Sequence, residues 1–84
     1  MTANQKLRVI AIDTPIYKNV YGYFTPITEN ENKTKEKKLN KGDIVTYKGN
    51  YEKVENKVTE ELTIYLEIET EDGTTGYLKL PSVT

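Results

Sequence analysis

The side chains that could carry chemistry in this chain are thirteen carboxylates and seven phenols; His and Cys are absent and Ser82 is the only serine. A serine nucleophile needs a neighbouring base, most often an imidazole, and Ser82 has none to draw on. Zinc held by thiolate or imidazole is excluded for the same reason, and neither a phosphate-cradling glycine loop nor a calcium-loop spacing occurs. Glycoside hydrolysis needs two carboxylates across a cleft. Here most acids alternate along strand-like segments or sit in a charged block, where a solvated ion is the ordinary state. A chain of 84 residues also has little room for a cleft dry enough to raise a carboxyl pKa. The chemistry on offer is therefore recognition without catalysis, metal or cofactor. Tyrosine suits it, with a stiff contact area and a hydrogen-bonding end.

The elements that must position the tyrosines read as strands. Leu62, Ile64, Leu66 and Ile68 alternate with Thr63, Tyr65, Glu67 and Glu69, which gives one buried and one wet face. Asp72-Gly73 then supplies the positive φ angles of a tight hairpin. Residues 74–80 return antiparallel, with Leu78 and Leu80 inward and Tyr77 and Lys79 outward, and Gly76 marks a bulge or a close backbone approach. Tyr65 and Tyr77 thus fall on the outer face of neighbouring strands, near enough to form one aromatic platform beside Glu67.

Upstream, residues 7–12 (LRVIAI) form a first strand stopped at Asp13-Thr14-Pro15. Residues 16–27 carry Tyr17, Tyr21 and Tyr23 but are broken by Asn19, Gly22 and Pro26, so they read as an irregular, partly extended arm that folds toward the platform. Residues 28–38 hold four Lys, three Glu and no apolar residue, the composition of a flexible solvated loop. Ile44 to Tyr47 is a strand ending at Gly49-Asn50, and residues 51–58 make an edge strand with a turn near Glu55-Asn56. The expected core is Val9, Val45, Tyr47, Leu62, Ile64, Leu66, Ile68, Leu78 and Leu80, with Ala11 and Leu39 as fillers.

The length fits one domain, residues 1–84, all-β, with five to six short antiparallel strands curled into a small partly open barrel that limits its exposed edges. No apolar run approaches the roughly 20 residues needed to span a bilayer, so membrane insertion is not expected. Residues 1–50 hold nine Lys or Arg against five acids, and residues 51–84 hold three against eight. A single Arg and a pI near 5.5 disfavour nucleic acid as a partner. Charged side chains along the edge at 51–58 guard against self-pairing, and a monomer is expected.

The segments LNKGDIVTY (39–47) and YLEI followed by EDGTTGYLKL (71–80) resemble bacterial Src-homology-3-like domains of the cell-wall-targeting type. In that family a Leu before Lys-Gly leads into a central strand, and an Asp-Gly turn precedes a Gly-aromatic strand. Cell-wall attachment domains of some surface-layer proteins are similar. Tyr65 and Tyr77 stand where the family carries Trp. The resemblance implies an Src-homology-3-like barrel and a module that grips cell-wall peptide or polymer, with Tyr65, Tyr77, Tyr17, Tyr23 and Glu67 as its contact residues.

The alternative is a stand-alone phage or mobile-element protein that occupies a host protein through its acidic, Tyr-bearing face. The first reading places the chain at the cell wall or outside the cell, as a piece of a longer protein. The second places it in the cytoplasm as a complete one.

Overall fold

The computed structural model describes residues 2–28, 37–80 and 82–83. Eight strands make up the fold: β1 (Lys6–Arg8), β2 (Thr14–Pro15), β3 (Tyr17–Val20), β4 (Tyr23–Pro26), β5 (Lys38–Leu39), β6 (Ile44–Asn56), β7 (Glu61–Thr70) and β8 (Thr75–Leu80). Six of them form one sheet in the order β1-β6-β7-β8-β3-β4, and β2 pairs with β5 in a separate ribbon. The protein is all-β, as its alternation demands. The sheet does not close into a barrel. The tail after β8 instead returns to β1 through the isolated pair Val9 and Val83, with the Ile10 N–H donating to the Ser82 carbonyl at 2.8 Å.

The core is Leu7, Val9, Ile16, Leu39, Val45, Tyr47, Leu66, Ile68, Leu78 and Val83, with Ile27, Ile64 and Leu80 packed at its margin. Leu62 departs from expectation: it is 57% exposed. The pairing explains this. β8 ends opposite Ile64, so residues 61–63 of β7 have only the outer half of β6 beside them. Ala11, expected as a filler, is half-buried. Ile16, read as part of an irregular arm, is fully buried and sits between β2 and β3.

Three boundaries also move. The first strand stops at Arg8, and Ile10 and Ile12 are exposed. β6 does not end at Gly49-Asn50 but passes through a register shift between Tyr47 and Tyr51 and runs on to Asn56. Gly49 takes φ +97 within that irregularity. The turn expected near Glu55-Asn56 lies at residues 57–60, where the Asn56 carboxamide oxygen accepts from the Val58 and Thr59 N–H groups at 3.0 and 3.3 Å. The block at 28–38 falls mostly outside the described residues. Its end, Lys38, already belongs to β5, opposite Pro15.

The hairpin joining β7 to β8 forms where expected, but with one positive φ rather than two. Only Gly73 adopts it, at +90°, as in a three-residue loop built on a type I turn. The Asp72 carboxylate organises this loop. It accepts from the Thr70 hydroxyl, from the Thr74 N–H at 3.1 Å and from Lys37 Nζ at 2.8 Å. These bonds, led by the Lys37 ammonium, hold its carboxyl well below the usual carboxylate range.

Candidate functional site

Residues 17–26 form a hairpin, not an irregular arm. Val20 pairs with Tyr23, and the two-residue loop between them, Tyr21-Gly22, has φ values of 51° and 89°. Both are positive, the signature of the primed turn that matches strand twist. The Asn19 side-chain oxygen accepts from the Gly22 N–H at 2.8 Å and fixes the turn. A tyrosine in the left-handed region is strained by about 1–2 kcal/mol. The strained residue stands at the apex with its side chain in solvent, 99% exposed.

β3 joins the sheet by pairing Tyr17 with Tyr77 of β8, and it can do so closely because Gly76 has no side chain. A Cβ there would lie 2.5 Å from Ile16 Cγ2 and 2.8 Å from the Tyr17 carbonyl oxygen. Gly76 is thus the close approach, in regular register opposite Ile68 rather than in a bulge. From that joint the hairpin bends over the outer face of β7 and β8. Phe24 stacks on Tyr65 with ring centroids 3.9 Å apart, and it meets Tyr77 edge-on at 5.1 Å. Tyr17 meets Tyr65 edge-on at 5.5 Å, while Lys79 Nζ lies 5.1 Å from the Tyr17 ring centre.

This second aromatic layer changes the expected platform. Tyr65 does lie on the face away from the main core, but Phe24 covers it and it is buried. It stabilises the hairpin and is not presented to a ligand. Tyr17 is half-buried in the same cluster, and Tyr23 is exposed on the hairpin. Tyr77 and Glu67, cross-strand partners on β8 and β7, are brought together as the sequence suggested. They line an open cleft of about 450 Å³ together with Lys18, Asn19, Tyr21 and Gly22 of the hairpin. Lys18 did not stand out in the sequence, Asn19 was read only as a break in the strand, and Phe24 was missed with them. Their signal was the Tyr-Gly dipeptide between two β-prone pairs, a turn of the right length whose first residue is atypical.

The cleft is acidic at Glu67. Asn50 Nδ2 donates to Glu67 Oε1 at 3.0 Å and orients that carboxylate. Burial, and then the negative charges of Glu67 and Glu52, push the Tyr77 phenol up from its ordinary value, against a smaller opposing effect of the Asn19 side chain. Tyr77 therefore keeps its proton throughout the neutral range. A carboxylate and a neutral phenol side by side, with an exposed ring at the rim, can receive a cationic or hydrogen-bond-donating group. Among the described residues, no group of three or more His, Cys, Asp or Glu side chains could hold a metal ion. Among the described residues, no helix is long and apolar enough to cross a membrane.

Compared with known proteins, the chain matches no family model, no curated protein and no solved structure.

Proposed function

We propose that this domain is a non-enzymatic binding module of the Src-homology-3-like, cell-wall-targeting kind. It takes a short polar segment of cell-wall peptide or polymer into the open cleft beside the Tyr21-Gly22 turn. The observation that carries this reading is Tyr21, held by a strained turn at 99% exposure on the rim of the cleft that Glu67 and Tyr77 also line. Strain concentrates where it serves a contact, and an aromatic rim over a carboxylate suits an amine-bearing peptide or an aminosugar polymer. Tyr77 and Glu67 remain contact residues in this reading, joined by Tyr21 and Lys18. Tyr65 and Tyr17 support them from beneath, and Tyr23 lies beyond the cleft. The β6-β7-β8 meander, with β1 laid along β6, is the arrangement that supports the Src-homology-3-like reading.

The test is sedimentation with purified Gram-positive cell wall, comparing the protein with Tyr21→Ala and Glu67→Gln. Binding by the parent protein that falls about tenfold or more in both variants supports the reading. Binding that both variants retain moves the contact elsewhere, and no binding by the parent protein rejects the wall as target.

One observation favours a second reading. Glu67 and Glu52 both lie close enough to Tyr77 to act on its phenol, so the tyrosine sits in a negative field. A phage or mobile-element protein that blocks a basic groove on a host protein would present such a surface. Absence of wall binding, with salt-sensitive capture of a basic host protein lost in Glu67→Gln, would favour it.

A further inference from the structure

The outer half of β6, residues 51–56, is bound on one side by β7, while β1 reaches only residues 44–46 on the other. Among the described residues no strand pairs with that outer edge. Every residue from Lys48 to Leu62 is exposed, including Tyr51, Val54, Val58 and Leu62. An edge of this length is a template for another strand unless its side chains forbid pairing, so the charges along it decide.

We propose that this edge pairs with the same edge of a second copy of this chain, antiparallel and centred on Val54. Backbone geometry limits the choices. In an antiparallel pair, residues whose N–H and C=O point outward must face each other, so a two-fold pairing must centre on a residue and not between two. Centring on Lys53 sets Lys53 against Lys53; centring on Glu55 sets Glu55 against Glu55; centring on Glu52 does the same for Glu52. Centring on Val54 sets Val54 against Val54 and Lys53 against Glu55 of the second copy, twice over by symmetry. The same register sets Glu52 against Asn56. Of the registers centred on Glu52, Lys53, Val54 and Glu55, the four inner residues of this segment, it is the one in which no like charges meet. Cross-strand opposite charges stabilise a pair and like charges destabilise it.

The charges that would defend the edge against pairing in general therefore favour this pairing in particular. The result is a four-stranded ribbon, β7-β6 followed by the second copy's β6-β7. Lys53, Glu55 and Leu62 lie on one face, since Glu55 pairs with Leu62 and Lys53 with Ile64. Val54 lies on the other. The register shift between Tyr47 and Tyr51 ends the straight part of β6 at the base of the arm, leaving the two bodies at opposite ends of the ribbon.

Sedimentation velocity over a range of concentrations at low salt tests this, with circular dichroism to verify folding of each variant. The wild-type protein should dimerise with increasing concentration. Lys53→Glu alone and Glu55→Lys alone should each weaken the dimer roughly tenfold or more, since each replaces two opposite-charge contacts by two like-charge ones. An equimolar mixture of the two variants should recover dimerisation, because only the mixed pair sets Glu against Lys at both contacts. A wild-type protein that stays monomeric at every concentration overturns the proposal. So does a dimer indifferent to both substitutions, or a mixture that fails to recover.

Discussion

The ring of Phe24 lies 3° from parallel to that of Tyr65, with their centroids 3.9 Å apart. Phe24 belongs to β4, at one edge of the sheet, and Tyr65 to β7, with β8 and β3 between them in strand order. The contact exists because the β3–β4 hairpin bends back over the sheet. It fastens the arm that carries Tyr21 at the rim of the cleft.

Removing that fastening should loosen the hairpin without dissolving the main core, from which Phe24 is absent. Phe24→Ala should cost about 1–3 kcal/mol, below the 3–5 typical of a fully buried ring because Phe24 is only partly covered. Urea unfolding gives the loss of stability. Amide exchange should show residues 17–26 opening well before residues 44–47.

Gly76→Ala should be more damaging than its size suggests. The new Cβ meets a backbone oxygen, the Tyr17 carbonyl, that cannot move without unzipping β3 from β8. A loss of about 1–3 kcal/mol is expected from such overpacking. Gly22→Ala is the contrast: nothing lies near its Cβ, and only its φ of +89° resists, at about 1–2 kcal/mol. Thermal melts of the two variants provide the comparison. Loss of the aromatic near-ultraviolet signal should follow Gly76→Ala and not Gly22→Ala.

Acid should act on the hairpin between β7 and β8. The Asp72 carboxyl ionises more readily in the folded protein than in the unfolded chain, where its value is 3.8. Its contribution is therefore complete above that value and is lost as pH falls below it toward the lower folded value. Unfolding midpoints in urea should decline over the acid range, and Asp72→Asn should flatten that part of the profile. Equal slopes in the two proteins would refute the role of Asp72.

How much of this was legible in the sequence depends on how local each determinant is. The alternation from Leu62 to Ile68 identified a strand and its two faces, and Asp72-Gly73 identified the hairpin, since both signals reside in adjacent residues. The same alternation could not say how far cover extends along the strand. Leu66 is 3% exposed and Leu62 57%, because β8 reaches one and not the other. Tyr65 was placed on the correct face, yet its lid arrives from Phe24, a residue over forty positions away. The hairpin at 17–26 was obscured by Pro26, which reads as a break but is tolerated on the edge strand β4. Its turn was masked by a tyrosine where asparagine or glycine is usual.

The pairing of Val9 with Val83 also orders events in time. The β6-β7-β8 meander joins segments adjacent in the chain, so it can close early. Val9 and Val83 come from near the chain's opposite ends, and each loses most of its conformational freedom before that contact repays it. Folding should therefore finish at this seam, on the milliseconds-to-seconds scale of β proteins dominated by distant contacts. Until it does, a meander with one uncovered face is the species that other chains would encounter.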